Sequence, residues 1–279
     1  MLMPLQPPSA SSRRGPRPKN IILRVLLAST GQTLSAQELV GACTLMGVSD
    51  NSARTALVRL RGTGLIDSVE RGQYRLGPAA TTLADDVARW RSGEARVRHW
   101  EGGWLIVHTG ALPRSDRRAV TQRDRALKLL GLRELEPGLA LRPDNLNDSL
   151  DDIRDRLYRL GLDPAAAVFT TATLDAARAQ AAPGLWGRRR LEVGYRHQIE
   201  TLSRWMDQWP SLEIDQAARE AFELGDAAIR SLVFDPLLPD TLINTQLRAE
   251  FTDIALRFDR LGQSIWRQRT LQPERMDNA

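Results

Sequence analysis

Residues 49–78, SDNSARTALVRLRGTGLIDSVERGQYRLGP, contain the pattern that decides the fold of the N-terminal third. Ser49 stands where a helix can begin, and Gly62 and Gly64 stand where it can end. Two short strand-like runs, LIDSV and QYRLG, follow, and Glu70-Arg71-Gly72 joins them in a predicted tight turn. The stretch therefore predicts a helix followed directly by a β-hairpin.

The predicted helix has two different sides. Ala53, Ala56, Leu57 and Leu60 recur at the i, i+3, i+4, i+7 spacing of a face that packs against a core. The opposite side carries short polar side chains near its start and arginines further along. Asparagine and arginine can pair with adenine and guanine in the major groove, and residues near the start of a recognition helix reach the bases. The residues predicted to contact DNA on the helix and hairpin are Ser49, Asn51, Ser52, Arg54, Thr55, Arg59, Arg61, Arg71, Gln73 and Arg75.

Two further helices are predicted before this one. Asn20 can cap a helix that runs to Gly31. Ser35, with Glu38 three residues later, has the pattern of a capping box for a second helix. Three helices followed by a hairpin predict a winged helix-turn-helix over residues 20–80.

Charge is unevenly distributed along the chain. The formal net charge is +5, yet residues 1–80 alone hold ten Lys/Arg and only four Asp/Glu. This basic excess is expected for a polyanionic partner or, more simply, for solubility. Residues 1–19 are rich in proline and serine and predict a disordered basic arm, which either follows a phosphate backbone or only keeps the chain soluble.

The rest of the chain predicts three further parts, and the fold class is α+β. Residues 81–98 predict a linker helix. Residues 99–178 have the order β-α-β-β-α-β, which is that of a ferredoxin-like unit. Residues 179–279 predict a helical C-terminal domain.

Composition narrows the class of protein. A hydrophobic content of 42% is typical of packed cores. The single cysteine, Cys43, cannot form an intrachain disulfide, which favours a reducing compartment, and we expect it to be a small buried residue. No apolar run approaches the roughly 20 residues that span a bilayer, and the N-terminus lacks the pattern of a secretory signal. We therefore expect a cytoplasmic protein.

No catalytic residue, cofactor or metal site is expected. The sequence has no Gly-rich phosphate loop. The histidines lack the spacing of metal ligands: His99, His108 and His197. Three acidic residues alternate with arginines near the start of a predicted helix, which favours a solvated charged face over a metal site: Asp151, Asp152 and Asp155.

The layout resembles the PaaX family of bacterial transcriptional repressors over roughly residues 20–270. The motifs that carry this resemblance are SARTALVRLRGTGLI (52–66), RGQYRL (71–76), WEGGWLIVHTGALPRSDRRAV (100–120), GLALRPDNL (138–146) and FDPLLPD (234–240). The resemblance implies a winged-helix head, a central domain similar to a small CRISPR-associated endoribonuclease, and a helical C-terminal domain. It also implies a homodimer that represses a catabolic operon of the phenylacetate type from an inverted-repeat operator. An acyl-CoA effector such as phenylacetyl-CoA would release it.

Two segments depart from the family pattern. The predicted wing at 70–76 lacks an additional basic, tyrosine-rich segment, and residues 241–251 lack the expected Trp-Pro-Gly. The operator and the particular acyl-CoA therefore stay open. Two other functions also stay open: a metal-dependent nuclease and a DNA-binding regulator without an inducer. The nuclease is the weaker alternative, because His108 and Thr109 stand where that enzyme class has a metal-binding carboxylate and Asp116 fits a helix start.

An acyl-CoA needs cations for its phosphates and an apolar slot for its acyl end. Residues 185–198, LWGRRRLEVGYRHQ, combine arginines with aromatic side chains. The competing expectation is that the aromatic side chains pack a core or a dimer interface. The residues predicted to contact the effector are Trp104, Arg142, Trp186, Arg188, Arg189, Tyr195 and Arg196.

Overall fold

The computed structural model describes residues 17–29 and 33–270. These residues form helices and two small antiparallel sheets, so the fold is α+β, as predicted. They divide into two compact units. Unit 1 contains the described residues up to Ala88 with 204–228 and 256–270, and unit 2 contains 89–203 and 229–255. Residues 1–16 of the predicted arm and the predicted helix end Gly31 lie outside the described residues.

Unit 1 begins with helices and a small sheet. Its first elements are α1 (Pro18–Ala28), β1 (Leu34–Ser35), α2 (Ala36–Leu45) and α3 (Asp50–Gly62). The next are β2 (Ile66–Glu70), β3 (Gln73–Leu76) and α4 (Pro78–Ala88). β3 lies between β1 and β2 and is antiparallel to both. The predicted sequence of three helices and a hairpin is therefore observed.

The first two helix starts follow different local chemistry. The predicted capping box of α2 is present: Ser35 Oγ accepts the Glu38 N–H at 3.1 Å, and the Glu38 carboxylate accepts the Ser35 N–H at 2.7 Å. The predicted start of α1 at Asn20 was wrong, because the helix begins at Pro18 with Arg17 as its N-cap residue. Proline is favoured there because its φ is already helical and it has no N–H to satisfy. Pro18 and Lys19, which were predicted to belong to the arm, are therefore part of α1.

Unit 2 contains the second sheet. Its elements begin with β4 (Trp104–His108), α5 (Arg117–Leu129), β5 (Arg133–Glu136), β6 (Leu139–Pro143), α6 (Leu150–Arg159) and β7 (Ala167–Thr171). The strand order is β5-β6-β4-β7, and all neighbouring strands are antiparallel. The predicted order of strands and helices is observed in this part of the chain.

The predicted linker helix at 81–98 is interrupted. α4 ends at Ala88, and residues Arg89–Arg96 form a 3₁₀ segment with a kink at Gly93, where φ is 45° and ψ is −126°. A Cβ at this position would lie 3.0 Å from Thr252 Cγ2. Glycine therefore satisfies two requirements, a positive φ and close packing.

Helices occupy the rest of the described chain. They are α7 (Ala176–Ala181), a 3₁₀ turn (Ala182–Trp186), α8 (Arg188–Gln208), a 3₁₀ turn (Trp209–Ser211), α9 (Ile214–Val233) and α10 (Thr245–Thr270). The predicted helical domain at 179–279 is divided, because 204–228 and 256–270 group with unit 1 and the other described residues with unit 2. The helices α8, α9 and α10 are 20 to 26 residues long, which corresponds to about 30–39 Å. Each of them contributes residues to both units.

The core of unit 1 buries one side of each of the first three helices. Its buried members include Ile21, Ile22, Leu26, Leu39, Val40, Cys43, Ala53, Ala56, Leu57 and Leu60. The buried position predicted for Cys43 is confirmed, and burial raises the pKa of its thiol to about 11. Phe222 of α9 and Trp266 of α10 pack against this cluster. Arg219 Nε also donates to the Leu45 carbonyl at 3.1 Å.

Candidate nucleic-acid interface

Helix α3 has the two-sided character that its sequence predicts. The four predicted inward residues are all buried, with Ala53 fully covered and Leu60 2% exposed. The opposite side is open, and its apolar member Val58 is 67% exposed. The packed side fixes the rotation of the helix, so the polar side chains must point away from the core.

The predicted DNA-contacting residues lie on α3, at its start and on the hairpin, and we call this set the α3 face. The exposed members are Ser49, Asn51, Ser52, Arg54, Thr55, Arg59, Arg61, Arg71 and Arg75, whereas Gln73 is half-buried. Within the part of the chain that the structure describes, no ion pair involves any of its five arginines. Their charges are therefore available to an external anion.

The start of α3 differs in one detail from the prediction. Ser49 is the N-cap residue with extended backbone angles, but its side chain makes no capping hydrogen bond. Its hydroxyl lies 2.9 Å from the Ser52 hydroxyl and donates to it. The predicted side-chain cap was therefore wrong, because the Ser49 side chain accepts no backbone N–H and its hydroxyl instead donates to Ser52 Oγ. The Thr55 hydroxyl donates to the Asn51 carbonyl at 2.8 Å.

The hairpin is short and firmly attached. Gly72 has φ 81° in the turn, and its carbonyl accepts the Ala36 N–H at 2.8 Å. Gln73 pairs with Ser35 of β1, which explains why it is half-buried. Arg71 and Arg75 remain exposed, so the hairpin has two arginines that are open to solvent.

Four of the seven predicted effector residues are buried: Trp104, Arg142, Trp186 and Tyr195. Trp104 and Trp186 are 5% and 2% exposed, and their rings stack with centroids 6.4 Å apart. Trp186 Nε1 donates to the Gly131 carbonyl at 2.8 Å. Tyr195 is 4% exposed, and its hydroxyl donates to Asp235. The competing expectation, that these aromatic side chains pack a core, describes their positions.

Arg142 is the fourth of these buried residues. It is 2% exposed, and it donates to the carbonyls of Pro143 and Leu130 and to Asn145 Oδ1. Burial lowers the pKa of Arg142 to about 9, and the positive charges of Arg96 and Arg156 add to the effect. Effector contact by these four residues stays a prediction, and it would require their packing to open.

The remaining three predicted effector residues lie on the surface of α8. Arg188, Arg189 and Arg196 are exposed. Arg188 Nε lies 2.8 Å from Glu192 Oε1, and Arg196 Nη2 lies 3.9 Å from Glu192 Oε2. The Arg188 hydrogen bond is the main cause that lowers the pKa of Glu192. The seven predicted residues are thus not gathered around one cavity.

We describe two clefts among the residues of unit 2 that the structure describes, and none of the seven residues lines either one. The smaller, of about 190 Å³, is lined by residues that include Arg98, His99, Trp100 and Pro239. The larger, of about 460 Å³, lies beside the 3₁₀ segment 89–96. The sequence did not indicate either cleft, because each combines residues from segments far apart in the chain.

A buried polar network joins the two motifs at 138–146 and 234–240, and we call it the motif network. Asn145 Nδ2 donates to the Leu237 carbonyl at 2.8 Å. Asp235 accepts from Tyr195 and from the Leu237 N–H. Burial raises the pKa of Asp235 despite the nearby positive charge of Arg248. Leu237 has φ 50°, which is unusual for a residue with a side chain, so the network holds a strained backbone in place.

Arg248 completes the motif network. It is 1% exposed; its Nε and Nη2 contact the two Glu94 carboxylate oxygens at 2.7 Å, and its Nη1 contacts the Leu238 carbonyl at 2.7 Å. Helical spacing could have predicted its burial, because Phe251, Ala255 and Phe258 follow at i+3, i+7 and i+10 and are also buried.

Comparisons with known proteins show a likeness of fold alone. No protein-family model matches the chain, and no curated protein matches it. Its structure is similar to that of uncharacterized protein Rv0674 from Mycobacterium tuberculosis, with a TM-score of 0.55 and 23% sequence identity. The similarity covers 88% of this chain and 97% of the other. Across residues 17–29 and 33–270, no helix is both long and apolar enough to cross a bilayer.

The acidic residues considered for metal binding have other roles in the structure. Asp116 caps α5 by accepting the N–H groups of Arg118 and Ala119 at 2.8 and 3.2 Å, as predicted for a helix start. Asp152 forms a capping box with Ser149. Asp151 pairs with Arg154 at 2.5 Å. Among the described residues, no group of three or more His, Cys, Asp or Glu side chains is arranged to hold a metal ion.

Proposed function

We propose that this chain is a cytoplasmic DNA-binding transcriptional repressor whose N-terminal part is a winged helix-turn-helix. One observation carries the proposal: α3 buries its alanines and leucines and exposes Asn51, Arg54 and further arginines that have no internal ion pair among the described residues. A helix that served only as packing would not need this surface. An exposed helix face with unpaired arginines and an asparagine suits the major groove.

The rest of the chain supports regulation as the purpose of this binding. We propose that β4 to β7 belong to a ferredoxin-like domain, as in the PaaX-type repressors that the sequence resembles, and their order and antiparallel pairing support this proposal. We propose a homodimer that binds an inverted repeat, because two-fold symmetry would present two recognition helices to two half-sites. An acyl-CoA such as phenylacetyl-CoA is the proposed effector, and the target is a catabolic operon of the phenylacetate type.

The test of DNA binding starts from duplexes that the full-length chain selects from a random library. Fluorescence anisotropy then compares the wild type with Asn51→Ala/Arg54→Ala. Arg114→Ala is the matched control, because Arg114 is an exposed arginine that belongs to unit 2 and not to unit 1. We expect the double variant to lose affinity by roughly tenfold or more, since a bidentate base contact contributes about 1–3 kcal/mol. Unchanged affinity in the double variant, or failure to select any duplex, would refute the proposal.

The effector is tested separately, on the complex with the selected DNA. Phenylacetyl-CoA should release the DNA, whereas free coenzyme A should not, because the proposed effector must favour the state with low DNA affinity. The variant Arg188→Ala/Arg189→Ala should keep DNA binding and lose release. If release is unchanged, the effector site lies elsewhere. The proposal assigns no enzymatic activity, and RNA cleavage with Mg²⁺ would contradict this assignment.

A further inference from the structure

The larger cleft of unit 2 lies between the 3₁₀ segment 89–96 and the loop that leads into α6. We call it the Arg96 cleft. Its volume of about 460 Å³ is within the range of small-molecule sites. Its lining residues are Arg89, Ser92, Ala95, Arg96, Asn147, Asp148 and Asp152.

Backbone pairing fixes the walls of the Arg96 cleft. The Asn147 N–H donates to the Arg96 carbonyl at 3.0 Å, and Asn147 Nδ2 donates to the Ala95 carbonyl at 2.8 Å. Val97 forms an antiparallel bridge with Leu146. The cleft is therefore framed by hydrogen bonds between the two segments.

Arg96 is the unusual member of this lining. Its Nε is buried and has no hydrogen-bond partner within the described part of the chain. The pKa of Arg96 is lowered to about 10, mainly by burial and in part by the positive charges of Arg156 and Arg89. A buried guanidinium nitrogen without a hydrogen-bond partner is costly, so an anion that accepted its N–H would be bound favourably.

The neighbouring charges set limits on such an anion. Arg89 uses one nitrogen, Nη2, for both Asp148 oxygens at 2.6 and 2.7 Å, and its Nε is also buried without a partner in the described residues. Asp152 is bonded to Ser149. The carboxylates of Asp148 and Asp152 thus already accept hydrogen bonds from within the protein. Their negative charge would repel a ligand that carries several negative groups.

We infer that the Arg96 cleft binds a small molecule through a single oxyanion, either a phosphate or a carboxylate group. Arg96 is the main cation, Arg89 is the second, and the Ser92 hydroxyl can donate to the same group. Guanidinium groups suit both anions, because their parallel N–H donors match two oxygens. The cleft is larger than the anionic group alone requires, so the rest of the molecule can occupy the remaining space. This site does not depend on the proposed DNA binding.

Isothermal titration calorimetry on the full-length chain tests the inference with inorganic phosphate and with acetate, each against sodium chloride of equal ionic strength. We expect saturable binding of at least one of the two, and the tighter one identifies the anion class. Arg96→Met should bind it roughly tenfold or more weakly, because a hydrogen bond to a charged group contributes about 1.5–3 kcal/mol. Arg114→Met, which removes an exposed arginine elsewhere in unit 2, should bind as the wild type does.

A second variant keeps the test decisive if Arg96→Met does not fold. Ala95→Leu fills the cleft from an exposed position and keeps every charge. It should also weaken anion binding by roughly tenfold or more. The inference is overturned if neither anion binds the wild type saturably, if Arg114→Met loses as much affinity as Arg96→Met, or if Ala95→Leu binds as tightly as the wild type.

Discussion

Arg248 joins the motif network to Glu94, and its replacement by methionine tests how much this network stabilises the protein. The substitution keeps much of the apolar stem and removes the guanidinium. It leaves the Glu94 carboxylate and the Leu238 carbonyl without their donors, and it leaves buried Asp235 without its nearby positive charge, now 4.0 Å away. Burial would lower the pKa of Arg248, but the bonds from Glu94 and the charge of Asp235 outweigh burial and raise it.

The size of the effect follows from this burial. Removing one partner of a buried ion pair costs about 3–5 kcal/mol. At roughly 3 °C per kcal/mol for a unit of this size, Arg248→Met should lower the melting temperature by roughly 9–15 °C. Glu94 is less enclosed, with 35% of its side chain exposed, so the lower part of the range is the better expectation.

Arg188→Met provides the matched control. Its Nε also lies 2.8 Å from a glutamate oxygen, but the Arg188 side chain is 58% exposed, against 1% for Arg248. Exposed pairs contribute about 0.2–1 kcal/mol, so this variant should melt within about 3 °C of the wild type. The double variant Arg248→Met/Glu94→Gln should recover part of the loss, because it no longer leaves a carboxylate unpaired. Differential scanning calorimetry measures all three variants. Equal shifts for Arg248→Met and Arg188→Met would refute the reasoning.

Three further predictions concern other parts of the molecule. Arg54→Ala should weaken binding to the selected DNA more than binding to other duplexes. Arg59→Ala should weaken binding to all duplexes alike and reduce the salt dependence of the affinity by about one phosphate contact. Fluorescence anisotropy at several salt concentrations distinguishes the two variants. Cys43 should react with a thiol reagent at pH 8 only in denaturant, because burial raises its pKa. Rapid labelling of Cys43 in the native protein would contradict its buried position. Because the fold disfavours the thiolate, the free energy of unfolding should also fall as the pH rises from 9 towards 11. Gly93→Ala should lower the melting temperature more than a surface substitution does, because a Cβ would meet Thr252 at 3.0 Å and φ is positive; an unchanged melting temperature would refute this.

Local patterns predicted the first three helices, the hairpin and the four strands of the second sheet, but not the short strand β1. The spacing of Ala53, Ala56, Leu57 and Leu60 fixed the inward side of α3 correctly, because helical periodicity depends only on neighbours in sequence. The capping box at Ser35 is correct for the same reason. The predicted cap by Ser49 was wrong, because its hydroxyl donates to the Ser52 hydroxyl and accepts no backbone N–H. A sequence with two serines near a helix start does not indicate which hydrogen bond forms.

Long-range packing explains what the sequence could not provide. Trp186 and Tyr195 occur beside arginines in the chain, which favoured a ligand site, but the fold turns these aromatic side chains inward and leaves Arg188 outside. The Arg96 cleft combines residues about 50 positions apart, so no local pattern indicates it. The division of α8, α9 and α10 between the two units likewise depends on contacts that only the folded chain has.

The motif network bears on what it would mean for another chain to share the motifs at 138–146 and 234–240. Asn145, Tyr195, Asp235 and Arg248 cooperate to hold a strained turn at Leu237, and none of them lines the Arg96 cleft. Selection on those positions would act on whether the polypeptide reaches its folded state, not on what the Arg96 cleft binds. Another chain with both motifs could thus differ in the ligand that its Arg96 cleft binds and still have the same motif network.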